Sequence, residues 1–111
     1  MKRYVKISTQ KEFFHCWPEA PEAVAFLRTP HRHMLHIYVT VEVTHNERDI
    51  EFILLKREVE QLYLEADFKI ESSCETVAEY LLTKLRNKYG VDRYYKVEIY
   101  EDNENGAILE A

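Results

Sequence analysis

The stretch from His31 to Val43 constrains the fold more than any other part of this chain. Leu35, Ile37, Val39, Val41 and Val43 share one parity, while Arg32, His36, Thr40, Glu42 and then Thr44 take the other. An extended backbone sends successive side chains to opposite faces, so the pattern predicts a long strand with one apolar face. A strand covered on one side only belongs to an antiparallel sheet, because parallel strands are buried on both faces. Something else in the chain must cover the apolar side.

Two amphipathic segments are available for that. Leu55, Val59 and Leu62 recur at helical spacing and predict a helix of roughly three turns. Ser72-Ser73-Cys74-Glu75 reads as a capping box with Ser72 at the N-cap. The helix it opens carries Val77, Ala78, Leu81, Leu82 and Leu85 on one stripe and stops at Gly90.

The remaining segments read as strands and turns. From Arg3 to His15, Val5, Ile7, Phe13 and His15 share a parity, with a polar middle that predicts a bulge in the ladder. Trp17-Pro18-Glu19-Ala20-Pro21 is a loop, and Pro21 to Leu27 is a candidate helical turn. After the polar turn at His45-Asn46-Glu47-Arg48, Ile50-Glu51-Phe52 is expected to pair back briefly. Tyr95, Val97, Ile99 and Glu101 form another strand, and Asn105-Gly106 predicts a tight hairpin turn into Ala107-Ile108-Leu109. The expected architecture is a single α+β domain over residues 1–111, ββααββ, with two helices on one face of a four-stranded antiparallel sheet. Its unpaired sheet edges predict assembly with further copies.

Composition narrows the function classes. A chain of 111 residues holds one core, and two Gly and three Pro leave no room for a long flexible linker. A net charge of -5 argues against a nucleic-acid phosphate backbone as partner. No basic segment followed by an apolar one opens the sequence, and no apolar run is long enough to span a bilayer. A cytoplasmic location is therefore expected, away from membranes, with Cys16 and Cys74 as reduced thiols.

The histidines carry the chemistry. His31 and His33 lie two apart on the predicted strand, so both imidazoles leave the same face, about 7 Å apart along it. That face is the apolar one. Two neutral imidazoles at its mouth need partners, and a shared metal supplies them. His15 closes the first strand with the same parity as Phe13, and antiparallel pairing brings it to the same place. Three histidines with an open fourth position form the ligand set of a catalytic zinc site. The competing explanation is a cluster of surface or hydrogen-bonded histidines beside a loop. His36 has the opposite parity and His45 lies in a turn, so both read as surface residues.

With those residues in place, the layout resembles the 6-pyruvoyltetrahydropterin synthase family. That family includes the 6-carboxytetrahydropterin synthase of queuosine biosynthesis and has the tunnelling fold. His15, His31 and His33 match its three zinc ligands. Asp49-Ile50-Glu51-Phe52 through Leu55-Lys56 is similar to its strand-to-helix passage. Ser73-Cys74-Glu75-Thr76-Val77-Ala78 is similar to its Pro-Thr-x-Glu-Asn-Leu-Ala helix start, and Glu101 falls where it places the carboxylate that anchors the pterin ring. The resemblance implies zinc, a pterin-like or purine-like ligand held by Glu101 and Glu75, carbon–oxygen lyase chemistry, and a homo-oligomer, trimeric or hexameric. Two positions depart from the pattern. Leu27 stands where the family has its catalytic cysteine, and Asp67-Phe68 where it has an Asp-His relay. Cys16 and Asp67 are the candidate catalytic residues that remain. Two readings stay open: a divergent zinc lyase, and a non-catalytic heterocycle-binding or assembly protein on the same fold.

Overall fold

The alternation from His31 to Val43 is realised as one uninterrupted strand, β2, which pairs on both sides. In a computed structural model describing Met1–Ala111, β1 (Arg3–His15), β2 (His31–Val43), β3 (Tyr95–Glu101) and β4 (Asn105–Glu110) form one antiparallel sheet. Their order across the sheet is their order in the chain. Helices α1 (Phe52–Glu65) and α2 (Cys74–Tyr89) stand between β2 and β3 in sequence and lie on one face, α1 against β1 and α2 against β3 and β4. A short 3-10 segment, Glu22–Arg28, links β1 to β2. The helical elements therefore number three rather than two, the third lying at the predicted turn after Pro21. No helix is long and apolar enough to cross a membrane.

The covered face holds the fold together. Leu35, Ile37, Val39 and Val41 of β2 and Tyr95, Val97 and Ile99 of β3 are fully excluded from solvent. They meet Leu55, Val59 and Leu62 of α1 and Val77, Ala78, Leu81, Leu82 and Leu85 of α2. Burying each large aliphatic side chain contributes about 1.5–3 kcal/mol. An exposed ion pair such as Arg32–Glu12 adds about 0–1 kcal/mol, so the apolar face and not the surface charge decides stability.

Several local expectations are corrected by long-range contacts. The β1–β2 ladder runs without a break from Arg3 opposite Val43 to His15 opposite His31, so the polar middle of β1 makes no bulge. Thr9 instead turns inward and its hydroxyl donates to the Glu60 carboxylate of α1 at 2.7 Å. Ile50-Glu51-Phe52 forms no strand. The Glu51 carboxylate accepts the N–H groups of Ile53 and Leu54 at 2.7 and 3.3 Å and starts α1 there. Ser73, not Ser72, caps α2, accepting the Thr76 N–H at 3.1 Å. The β3–β4 turn falls at Asp102 and Asn103, which take φ of 53° and 57°, whereas Asn105 and Gly106 belong to β4. Gly106 is required by close approach, since a Cβ there would run into the Ile99 carbonyl oxygen.

Candidate metal centre

The register of β1 on β2 builds the site. His15 lies opposite His31 and Phe13 opposite His33, and all four share the covered parity at the end of the sheet. The three imidazoles meet edge to face, with ring centroids 4.6 to 5.3 Å apart. One ring nitrogen from each lies within 4.8 Å of the others, and no cysteine or carboxylate belongs to that mutual set.

Each ring is held by its other nitrogen. His15 Nδ1 lies 3.0 Å from the Ser72 carbonyl oxygen, His31 Nδ1 lies 2.8 Å from that of Thr29, and His33 Nδ1 lies 2.7 Å from Asp102 Oδ2. Carbonyl and carboxylate oxygens only accept, so each Nδ1 carries a proton, and in the neutral ring each Nε2 presents a lone pair. All three Nε2 atoms are buried without a hydrogen-bond partner. Metal-ligating imidazoles are oriented in this way, with the outer N–H given to a carbonyl or carboxylate. Unpartnered buried nitrogens are costly, and three on rings that bring one nitrogen each within 4.8 Å of the others fit a cation. His15, His31 and His33 could therefore hold a metal ion.

Distant segments supply these supports. The Ser72 carbonyl comes from the loop before α2, and that loop is tied to the end of β1 by the Cys16 N–H donating to the Ile70 carbonyl at 2.9 Å. Asp102 is fixed twice to β2: its Oδ1 accepts the Met34 N–H at 3.0 Å and its own N–H donates to the Met34 carbonyl at 2.8 Å. The bond from His33, followed by that from Met34, holds the Asp102 carboxyl below the usual carboxylate range.

The imidazoles open onto a cleft of about 480 Å³, whose walls include Trp17, Leu27, Cys74, Glu75 and Glu101. Glu101 lies opposite Leu35 in the β2–β3 register, which gives it the covered parity and brings it to the histidines. Its Oε2 stands 2.8 Å from His15 Nε2 and 3.2 Å from His33 Nε2. Glu75 is exposed at the first turn of α2, on the cleft wall.

The structure thus brings His15, His31, His33 and Glu101 together, with Glu75 at the rim. Cys16 is buried and borders the same cleft. Asp67 is not among the cleft residues. It is exposed, with φ of 48°, in the turn after α1. Phe68 packs among Phe13, Tyr63 and Tyr80 rather than at the site. His36 lines a separate groove with Tyr38 and Lys56, and the His45 ring accepts the Glu47 N–H at 3.1 Å.

Two residues escaped the sequence reading. Asp102 adjoins Glu101 and was discoverable only with the hairpin turn placed correctly. Cys74 becomes the first residue of α2 once Ser73 is the cap, and it faces the cleft. Burial, with the charges of Glu101 and Glu75, pushes its thiol up to about 12, so it stays protonated at neutral pH. Among known proteins, no family model and no curated protein matches this sequence.

Proposed function

We propose that this chain is a zinc-binding protein of the 6-pyruvoyltetrahydropterin synthase kind, on a tunnelling fold, that holds a pterin-like or purine-like ring beside its histidines. The observation that carries the reading is the set of three buried Nε2 lone pairs, each fixed by a bond at Nδ1. Neutral imidazoles suit zinc, and three of them leave a further coordination position. Zinc bound there would supply a Lewis acid for a substrate oxygen.

The chain's own groups favour binding over turnover. Carboxylates at Glu101 and Glu75 accept paired N–H donors from the amino-amidine edge of such a ring. Trp17, half exposed on the cleft wall, offers a flat apolar surface. Proton-handling groups are scarce. Leu27 carries none, Asp67 stands outside the cleft, and Cys74 holds its proton tightly. General acid and base groups commonly contribute about 10²–10⁴-fold each, so lyase turnover through this site is reduced by orders of magnitude. Cys16 is the thiol left to act as proton carrier in the lyase reading, and a non-catalytic binding protein is the reading its burial favours.

The sheet is open, with β1 and β4 at its edges. Edge pairing between copies would close it into the barrel of the tunnelling fold, as a trimer or a hexamer, and light scattering tests this. A monomer at micromolar concentration would remove the barrel. Metal analysis of protein purified without added metal, followed by calorimetry with pterins and purines, tests the rest. We expect about one zinc per chain, measurable ring binding that Glu75→Ala weakens, and little conversion of dihydroneopterin triphosphate. Rapid conversion would refute the binding-protein reading. Absence of both metal and ring binding would refute the whole proposal.

A further inference from the structure

The carboxylate of Glu101 stands in a relation to the histidines that ring anchoring does not explain. Its Oε2 is buried and has no hydrogen-bond partner, as are the Nε2 atoms of His15 and His33 that it faces. With the protons on Nδ1, the contacts at 2.8 and 3.2 Å set a negative oxygen against two lone pairs. Such an arrangement is repulsive unless a proton or a metal ion lies between them, and the absence of hydrogen-bond geometry at these atoms favours the metal ion. Ligand atoms around a tetrahedral ion with bonds of about 2.0–2.1 Å are about 3.3 Å apart, close to both separations.

We propose that Glu101 is the fourth protein ligand of the metal, which makes the centre a three-histidine, one-carboxylate site that a substrate oxygen would enter as a fifth ligand or by displacing the carboxylate. The inference rests on the zinc reading above and departs from the role that the resemblance implies for Glu101. Oε2 lies beside His15 and His33 but outside the mutual 4.8 Å set that includes His31, so the side chain must shift toward His31 to complete the shell. Strand β3 delivers it beside these rings by the same pairing that places Leu35 in the core. Asp102, the next residue, holds His33 from its outer nitrogen, so one turn supports the metal from two sides. Oε2 is the buried oxygen of Glu101, while the side chain keeps 27% of its exposure toward the cleft. The same carboxylate can therefore face metal and cleft together.

The test is zinc affinity by competition with a chromophoric chelator, together with the visible spectrum of the cobalt(II)-loaded protein. Wild type, Glu101→Gln, Glu101→Asp and Glu104→Gln would be compared, with circular dichroism in chelator to confirm folding. Glu101→Gln keeps size and shape but loses the charge. It should weaken zinc by at least about tenfold, the lower end of what supporting partners of metal ligands cost when removed. It should also alter the cobalt spectrum, since water or a neutral amide replaces the carboxylate. Glu101→Asp should fall between it and wild type, and Glu104→Gln, in the exposed turn, should match wild type. If zinc is bound with unchanged affinity and unchanged cobalt spectrum in Glu101→Gln and Glu101→Asp, Glu101 is not a ligand and the zinc reading survives. If wild type takes up neither ion, the zinc reading falls and this inference with it.

Discussion

The two ends of the β1–β2 pair treat polar groups in opposite ways. At the end near Val43, Arg93 reaches Asp49 through Nη1 and Nη2 at 2.7 and 3.3 Å, and donates to the Glu42 and Tyr89 carbonyls at 3.1 and 3.0 Å. Thr44 adds its N–H and hydroxyl to the same Asp49 oxygen at 2.8 and 2.9 Å. The cluster closes on itself. At the end near His31, the outer nitrogens are satisfied, but three inner ones and a carboxylate oxygen are left facing one another. A polar group paired within the chain is architecture. A set left unpaired after such care in its orientation is prepared for something from outside.

The largest expected effect lies at the open end. If the centre holds zinc as proposed, His31→Ala or His33→Ala should lower bound zinc well below one per chain and remove any stabilisation it gives, seen as thermal melts that no longer respond to chelator. His36→Ala and His45→Ala should change neither. Were His45→Ala to strip the metal while His33→Ala kept it, the contrast between the two ends would be wrong.

Acid should separate the ends. Protons compete with metal for the imidazoles, so metal leaves early in an acid titration. At the closed end, the Arg93 hydrogen bond, then the Thr44 N–H, hold the Asp49 carboxyl well below the usual carboxylate range. A depressed carboxylate contributes stability that is present above its unfolded value of about 3.9 and is lost as pH falls through the lower folded value. Metal release, followed with an indicator, should therefore precede loss of helical dichroism. Arg93→Met should move that second transition to higher pH and leave the first in place. Coincident transitions in the wild type would mean that the two ends act as one unit.

Smaller effects sharpen the comparison. Gly106→Ala forces a methyl against the Ile99 carbonyl and should cost about 1–3 kcal/mol in denaturant melts, while loosening Glu101 and the metal. The helix caps make a matched pair, Ser73 beside the open end and Glu51 beside the closed one. Alanine at either should cost about 0.5–2 kcal/mol. Only Ser73→Ala should also weaken zinc, because it disturbs the neighbouring Ser72 carbonyl that orients His15.

Periodicity is a property of neighbours in sequence, and what it determined about this protein is correspondingly local. The parity of Leu35 to Val43 defined the covered face of β2, and the stripes on Leu55 and Val77 defined the helices that cover it. The parity of His15, His31 and His33 put three imidazoles on that same face. What the tertiary structure alone decided was every partner chosen across a distance. Thr9 was a polar interruption until Glu60, 51 residues away, accepted its hydroxyl. Ser73 and Glu51 took the caps because only folded backbone shows which N–H groups lack a partner. The hairpin turned at Asp102 and Asn103 because the β2–β3 register ends at Glu101, and the Asn105-Gly106 signal carried no knowledge of that register. The nitrogens of His15 and His33 were assigned by oxygens 57 and 69 residues distant. Side-chain direction follows from the local pleat, whereas the protonation and purpose of a ring nitrogen depend on whatever the fold places against it.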